Sequence, residues 1–268
     1  MSPAGELGWV EAVVLGTAQG LTEFLPVSSS GHVALGALLF GLRDAPLSLE
    51  VVLHVGTLAA TLGLFGRDAL RLAGAALKAL GDAEARTSAD ARMALAVVVG
   101  TLPTVALGLG LKGAVEDWKH VPVIVGTCLL ASAGLCLSTR GRSGEDEVPT
   151  LRQAFLIGLA QGLAVLPGLS RSGSTIAAAM MLGLRGEAAF RFSFLLSLPA
   201  IAGASLLVLT EDGALDRLPP VVWLGGVVSF VVGLVSLWAL RGIVLTGRFW
   251  AFAVYLVPVG IAAIVLGM

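Results

Sequence analysis

The chain has 268 residues, of which 56% are hydrophobic and 13% are charged, and its mean hydropathy is +0.93. Soluble domains carry about 25% charged residues, so this composition excludes an ordinary soluble protein and indicates an integral membrane protein. The 17 basic and 18 acidic residues nearly balance. A nucleic-acid partner is therefore not expected, because phosphate backbones require a basic surface.

Six segments are long and apolar enough to cross a bilayer as helices, which takes about 20 residues each. In chain order they are 48–66, 93–112, 121–139, 188–209, 221–240 and 248–267. The sequence therefore predicts an all-α polytopic membrane protein with six transmembrane helices.

Four further segments are too short or too interrupted to span the bilayer alone. They are 8–24, 31–41, 152–165 and 174–184. Pro26 separates the first two, and Pro167 with Gly168 separates the last two. Proline disfavours helical geometry in the residue before it, and glycine tolerates backbone angles that other residues avoid. Each pair is therefore predicted to form a re-entrant helical hairpin whose break lines a cavity or is buried in protein.

The two breaks lie in similar stretches of sequence. Residues 18–32 read AQGLTEFLPVSSSGH, and residues 160–175 read AQGLAVLPGLSRSGST. When a one-residue gap is allowed, both contain Ala-Gln-Gly-Leu, then Leu-Pro, then a serine cluster that is followed by glycine. We infer an internal duplication within a single membrane domain, with 1–139 as the first repeat and 152–268 as the second.

Basic residues are concentrated in the loops on one side of the predicted spans. That side holds Arg67, Arg71, Lys78, Arg86, Arg92, Arg140, Arg142, Arg152, Arg185, Arg191, Arg241 and Arg248, and the other side holds Arg43, Lys112, Lys119 and Arg217. The positive-inside rule places the first set in the cytoplasm and the C-terminus outside. Corresponding helices then run in opposite directions, which predicts inverted repeats whose broken helices meet near the bilayer midplane. A repeat that reflects only ancestry and packing is the alternative.

Between Glu11 and Arg43 the only ionisable residues are Glu23 and His32, and between Arg152 and Arg185 the only one is Arg171. Each would be costly in lipid, at about 2.5–3.5 kcal/mol for an Arg or Asp at a helix centre, so they indicate a polar cavity. Gln19 lies one helical turn before Glu23, and both can face one ligand, an arrangement that suits a divalent cation. An interhelical hydrogen bond for Gln19 and a structural ion pair between Glu23 and Arg171 are the alternatives.

The serine clusters directly precede the second helix of each hairpin, where free backbone N–H groups bind phosphate readily. Arg171 adds a planar guanidinium that matches phosphate oxygens in pairs, so the second loop is predicted to bind an anion. The first loop combines the hydroxyl of Ser29 with His32 and Glu23, the groups of nucleophilic or general acid–base catalysis. Serines that only cap helices are the alternative. His54, in the first long span, is interpreted as a core histidine, and a supporting position beside the site is the alternative.

These motifs resemble those of the bacterial undecaprenyl pyrophosphate phosphatase family, also called the bacitracin-resistance family, and the resemblance covers essentially the whole chain. Residues 19–32 are similar to its acidic signature, and residues 167–175 are similar to its Pro-Gly-x-Ser-Arg-Ser-x-x-Thr signature. Two positions depart from the common pattern: Gln19 stands where many members have Glu, and Ser30 where many have Thr.

The resemblance implies an enzyme of the bacterial cytoplasmic (inner) membrane that hydrolyses undecaprenyl diphosphate to undecaprenyl phosphate and inorganic phosphate. Such an enzyme recycles the lipid carrier of cell-wall precursors and gives bacitracin resistance. A divalent cation, Mg²⁺ or Ca²⁺, and an active site open to the outer face are implied as well. A secondary transporter or flippase of a phosphate-bearing lipid is the alternative function, and a homodimer is left open.

Residue roles follow from matching the motifs to this sequence. Glu23, Ser29, His32 and Arg171 are expected to be catalytic, with Glu23 and Gln19 as metal ligands. The residues expected to bind the diphosphate are Ser28, Ser170, Arg171, Ser172 and Thr175. Ser29 is the expected nucleophile, and Ser28 and a water molecule are the alternatives.

Overall fold

A computed structural model describes residues 7–29, 32, 47–119, 121–209 and 219–267. The α-helices in these ranges are α1 (Trp9–Thr22), α2 (Leu47–Gly81), α3 (Ala89–Trp118), α4 (Pro122–Ser138), α5 (Leu151–Leu163), α6 (Arg171–Met181), α7 (Gly186–Leu209), α8 (Pro220–Leu245) and α9 (Ala253–Leu266). Short 3-10 helices at Ala85–Thr87 and Phe249–Phe252 complete the regular structure of the described residues, which include no β-strand. The prediction of an all-α protein is confirmed.

Apolar helices lie at five of the six predicted spans. Three are long enough to cross a bilayer by length and composition: Ala89–Val115, Gly186–Leu206 and Pro220–Leu245. Two shorter apolar helices, Pro122–Ser138 and Phe249–Val265, fall at two other predicted spans. These helices fit a multi-pass membrane protein, and the count of six spans stays a prediction.

Helix α2 is longer than its predicted span, because it continues without a break to Gly81. The sequence places residues 67–81 in a loop on the cytoplasmic side, but the structure shows a helix there, and the side of the membrane stays a prediction. The stretch is rich in Ala, Leu, Arg and Lys, which are strong helix formers, and it has no proline. Arg71 also pairs with Asp68 one turn earlier, at 2.8 Å. Helical structure here is set by local propensity, whatever the position of the bilayer surface.

Both predicted helix breaks are present. Helix α1 ends at Thr22 and a turn follows through Val27, while α5 ends at Leu163 and α6 begins at Arg171. Gly168 has a φ of +92°, and a Cβ there would lie 2.3 Å from the carbonyl oxygen of Val125, so only glycine fits this turn. Of the predicted segment 31–41, only His32 lies among the described residues.

The two halves use glycine at the same repeat position to bring helices together. A Cβ on Gly16 of α1 would lie 2.5 Å from the carbonyl oxygen of Gly225 on α8, and one on Gly158 of α5 would lie 2.0 Å from that of Gly100 on α3. Gly16 and Gly158 both stand two residues before the Ala-Gln-Gly-Leu sequence. Small residues of this kind let membrane helices pack backbone to backbone. The matched contacts agree with a duplicated fold, and the inverted orientation of the halves stays a prediction.

A cluster of four aromatic rings supports the region between the helix breaks. Phe190 and Phe194 of α7 stack edge to face with centroids 4.8 Å apart, and Phe65 of α2 lies within 5.8 Å of both. Phe24, in the turn after α1, packs on Phe194 at 5.8 Å. Such aromatic pairs add stability beyond their buried area. The packing of Phe24 on Phe194 therefore stabilises the turn at the first helix break.

Candidate active site

The carboxylate of Glu23 is the point where the two helix breaks meet. Its Oε1 accepts a hydrogen bond from Nη2 of Arg171 at 2.6 Å, and its Oε2 accepts one from the Ser29 hydroxyl at 2.9 Å. The amide nitrogen of Gln19 also donates to Oε2, at 3.2 Å. The Glu23 side chain is only 9% exposed. The ion pair between Glu23 and Arg171, one of the alternatives above, is therefore present. The same carboxylate also holds Ser29 of the first loop.

Arg171 is the first residue of α6, and its guanidinium is held from two sides. One amino group pairs with Glu23, and the Cζ atom lies 5.8 Å from the centroid of Phe194. The other terminal nitrogen, Nη1, is buried and has no hydrogen-bond partner among the described residues. A buried cationic donor without a partner is costly.

Ser29 and Arg171 occupy equivalent positions in the two similar stretches of sequence. Each stands two residues before the glycine that closes its serine cluster, Gly31 or Gly173. They bind opposite oxygens of the same carboxylate. The first loop therefore supplies a neutral hydroxyl to one oxygen of Glu23, and the second loop supplies a cation to the other.

The second loop is fixed by a helix cap and by a neighbouring helix. The hydroxyl of Ser170 accepts a hydrogen bond from the backbone N–H of Gly173 at 3.1 Å and caps α6. Its own backbone N–H donates to the hydroxyl of Ser132 on α4, at 2.9 Å. Caps of this kind are worth about 1 kcal/mol. Ser170 is thus held in place at the start of α6.

The first loop has a left-handed backbone at Ser28, where φ is +68°. Ser28 is the only non-glycine residue with positive φ among the described residues, and such conformations often mark functional sites. Nδ1 of His32 lies 2.9 Å from the Ser28 carbonyl oxygen, and Nε2 contacts the hydroxyl of Tyr255 on α9. The recorded contacts of His32 are therefore with Ser28 and Tyr255, and not with Ser29 or Glu23.

A polar cavity of about 230 Å³ opens between the two breaks. It is lined by Thr22, Glu23, Ser28, Ser29, Ala164, Val165, Leu166, Leu169, Ser170 and Arg171. Five predicted site residues, Glu23, Ser28, Ser29, Ser170 and Arg171, thus share one cavity.

A second, mostly apolar cavity of about 360 Å³ adjoins the first. Glu23, Ala164, Val165 and Arg171 line both cavities, so they form the wall between them. The rest of the apolar cavity is lined by Val51, His54, Thr104, Gln161, Ser197, Ala200, Ile201, Ala204 and Ser205. A charged pair therefore separates a polar space from an apolar one, as an amphiphilic ligand would require.

Two residues expected to bind the anion do not line the polar cavity. Thr175 is fully buried, donates to the carbonyl of Arg171 at 2.8 Å and contacts the hydroxyl of Ser193. Ser172 is 1% exposed and lies 3.3 Å from the Ser170 hydroxyl. Only some side chains near the start of a helix face the preceding loop, and these two face the protein interior. In this geometry they support Arg171 and Ser170 and do not reach into the cavity.

His54 lies next to the site, and its interpretation as a core histidine is wrong. Its Nε2 is 3.8 Å from Oε2 of Glu23, its side chain is 43% exposed, and it lines the apolar cavity. An ionisable residue inside an apolar span is itself a functional signal. Gln161, which also lines this cavity, is the counterpart of Gln19 in the repeated Ala-Gln-Gly-Leu sequence, a signal that could have selected it. Tyr255 has no such signal, because it reaches the first loop only through helix packing.

The residues present limit how a divalent cation could be held. Among the described residues there is no cluster of three His, Cys, Asp or Glu side chains that could bind one. Glu23 is the one carboxylate lining the described cavities, and both of its oxygens accept hydrogen bonds. Mg²⁺ commonly uses one or two carboxylates together with substrate phosphates and water. The site fits a cation held jointly with a phosphate ligand and does not form a protein-only cage.

The fold and site together define a polytopic membrane protein with a charged cavity between two broken helices. The family model of the bacitracin resistance protein BacA matches residues 12–262, and the chain belongs to this family. It is 43% identical over 271 residues to the undecaprenyl-diphosphatase of Desulfatibacillum aliphaticivorans, an alignment that covers 96% of this chain and 98% of that protein. It is 44% identical over 270 residues to the protein of that name from Desulfosudis oleivorans, covering 97% and 98%. For the protein of that name from Korarchaeum cryptofilum, the identity is 39% over 259 residues, covering 96% and 98%.

Proposed function

We propose that this chain is an undecaprenyl-diphosphate phosphatase, which releases inorganic phosphate and regenerates undecaprenyl phosphate for cell-wall synthesis. Family membership and the names of relatives that align over nearly the whole chain support this function. Bacitracin resistance follows from it, because the activity removes the lipid diphosphate.

The observation that carries the proposal is the convergence of both loops on Glu23. A hydroxyl, a carboxylate and a guanidinium lie in hydrogen-bond contact at one end of a polar cavity. Phosphoryl transfer requires little more than a positioned nucleophile and fixed positive charge around the transferred group. The site supplies both.

The two cavities suggest how the substrate lies. The diphosphate would occupy the polar cavity, which is lined by Arg171 and by Ser170 at the start of α6. The first units of the lipid tail would lie against the apolar cavity, and the remainder would stay in the bilayer. In this arrangement the Glu23–Arg171 pair lies where the head of the lipid meets its tail.

The reaction is proposed to run through Ser29. Its Oγ attacks the terminal phosphorus, the bond from phosphorus to the bridging oxygen breaks, and undecaprenyl phosphate leaves with that oxygen. Glu23 accepts the proton of Ser29, to which it is already hydrogen-bonded. Water then hydrolyses the phosphoserine and releases inorganic phosphate, which restores the serine hydroxyl. Arg171 stabilises the charge on the transferred group throughout.

A divalent cation, Mg²⁺ or Ca²⁺, is proposed to bind near Glu23 with Gln19 beside it. When bound, it would neutralise charge on the phosphate oxygens. In the structure the Gln19 amide nitrogen faces Glu23, so Gln19 orients the carboxylate whether or not its oxygen contacts a metal.

The enzyme is proposed to lie in the bacterial cytoplasmic membrane, with its site open to the outer face. The bias of basic residues toward one set of loops supports this orientation. A transporter or flippase that uses the same site is not favoured, because the relatives carry the name of an enzyme.

Purified protein in detergent tests the proposal directly. Undecaprenyl diphosphate labelled in its terminal phosphate should yield labelled inorganic phosphate and unlabelled undecaprenyl phosphate in equal amounts. Vesicles that carry the lipid across but release no phosphate would favour the transporter. A preparation that shows neither activity, with cation supplied, would overturn the phosphatase assignment.

A further inference from the structure

Tyr255 lies far from the motifs in sequence and next to the first loop in space. It belongs to α9, 223 residues after His32, and its hydroxyl contacts Nε2 of that histidine. The two rings also stack, with centroids 5.9 Å apart and planes inclined by 29°. Tyr255 is the only tyrosine in the chain.

The hydrogen-bond chemistry fixes the form of the histidine. The Ser28 carbonyl oxygen can only accept, so the Nδ1 atom of His32 that contacts it at 2.9 Å must carry a proton. In the neutral ring, Nε2 is then an acceptor, and the Tyr255 hydroxyl donates to it. The lone pair that a general base would use is therefore occupied by Tyr255.

The contact with Ser28 falls at the strained residue of the loop. Ser28 has a φ of +68°, a conformation that a non-glycine residue keeps only when its surroundings hold it. Ser29 follows directly and donates its hydroxyl to Glu23. The Tyr255 hydroxyl, the His32 ring and the Ser28 carbonyl thus form a chain of contacts, and the backbone links Ser28 to Ser29, whose hydroxyl reaches the carboxylate.

The second loop is also held by a hydrogen bond to a distant helix. Ser170, which stands three residues before its closing glycine as Ser28 does, is held through its backbone N–H by Ser132 of α4. Helices α4 and α9 are the last helices of the two predicted repeats, and they pack along each other. Each loop is therefore attached to one member of a single helix pair.

On this basis we propose that Tyr255 is a positioning residue: it holds His32 in the Nδ1–H form, and His32 in turn holds the Ser28 backbone that presents Ser29 to Glu23. The catalytic part of this inference rests on the proposed phosphatase function. It assigns His32 to the geometry of the loop and leaves the proton of Ser29 to Glu23.

Nitrogen-15 NMR of the histidine side chains tests the contact without any activity assay. The chain has three histidines, and a His32→Ala variant assigns the His32 signals. Wild-type protein in detergent should show His32 protonated at Nδ1 and unprotonated at Nε2. In Tyr255→Phe the His32 signals should shift, since the donor to Nε2 is lost and the ring can exchange tautomers. A wild-type ring protonated at Nε2 and not at Nδ1, or a His32 signal identical in Tyr255→Phe, would overturn the proposal.

Kinetics test the consequence. Tyr255→Phe keeps the ring and loses the hydroxyl, so kcat for phosphate release should fall about tenfold, the scale of a small misplacement of a reacting group. KM should change by less than about twofold, because the hydroxyl does not contact the substrate. Val254→Ala, a change at the neighbouring and 71% exposed position of α9, should alter neither.

A loss confined to KM, or an unchanged kcat, would refute the positioning role. If wild-type protein releases no phosphate, the proposed function fails, while the NMR result still decides whether Tyr255 holds His32.

Discussion

Arg171 donates a hydrogen bond of 2.6 Å to Glu23 across 148 residues of sequence, and this contact ties the two helix breaks together. Their side chains are 16% and 9% exposed. Removing one member of a buried ion pair commonly costs about 3–5 kcal/mol, because the remaining charge is left unpaired. The pair therefore contributes to the fold as well as to the site, and experiments on it must separate the two roles.

The proposed phosphoserine intermediate can be trapped. Rapid quenching of wild-type enzyme with terminally labelled substrate should leave label on the protein, and proteolysis should assign it to Ser29. Ser29→Ala removes the nucleophile, so it should abolish the label and lower phosphate release at least about a hundredfold. Wild-type protein that stays unlabelled at every quench time would favour water as the nucleophile, and label on Ser28 would favour the neighbouring serine.

Substitutions at Ser28 separate backbone strain from side-chain chemistry. Ser28→Gly and Ser28→Ala both lose the hydroxyl, and they differ in their tolerance of a φ of +68°. Glycine should be the more stable of the two by about 1 kcal/mol. Thermal unfolding in detergent measures this difference. An alanine variant as stable as the glycine variant would show that the left-handed conformation is not kept in solution.

The close crossing of α3 and α5 predicts a sharp difference between two glycines. A Cβ at Gly158 would lie 2.0 Å from the carbonyl oxygen of Gly100, so Gly158→Ala should force the helices apart and cost about 1–3 kcal/mol or more. Gly134 on α4 has no described atom near its would-be Cβ within 4 Å, so Gly134→Ala is the control. It should be neutral or stabilising by up to about 1 kcal/mol. Melting temperatures that fall equally in both variants would contradict the crossing.

The cation proposal predicts that a chelator abolishes phosphate release and that added Mg²⁺ or Ca²⁺ restores it. Gln19→Glu then places a second carboxylate beside Glu23, in the position where the Gln19 amide now donates to it. Two adjacent carboxylates repel each other without a cation and bind one more tightly. The variant should therefore reach half-maximal activity at a lower Mg²⁺ concentration.

Gln153→Glu is the control for that substitution. Gln153 lies at the start of α5, away from the cavities. Its amide donates to Asp146 and to the Leu182 carbonyl, so Gln153→Glu should lower the melting temperature but leave the Mg²⁺ requirement as it is. An unchanged requirement in Gln19→Glu would place the cation elsewhere.

Sequence reasoning succeeds here where the signal is local. Pro26 and Pro167 mark both helix breaks, and the isolated charges Glu23 and Arg171 predict the polar cavity that they line. Proline disfavours helical geometry in the residue directly before it, and a charge in an apolar hairpin is costly unless its environment is polar. These features depend little on how the rest of the chain packs.

It fails where the outcome depends on how a helix is rotated about its axis. Thr175 belongs to the matched motif but faces Ser193 in the interior, whereas His54 lies in an ordinary span and faces Glu23. Tyr255 reaches the first loop because α9 packs beside it. None of these orientations can be derived from composition or spacing, since they are set by contacts between distant helices.

The most direct test of the central claim is phosphate release by Glu23→Gln and Arg171→Ala, measured well below the melting temperature of each variant and with size-exclusion profiles as a check on folding. If Glu23 and Arg171 take part in the reaction, each variant should lose at least about a hundredfold in kcat, which is the effect of removing one charge-stabilising group. Glu187→Gln and Arg241→Ala break an exposed ion pair of 2.7 Å elsewhere, and they should keep near-normal turnover. Folded Glu23→Gln or Arg171→Ala protein with near-normal kcat would contradict the account and leave the pair a structural role alone.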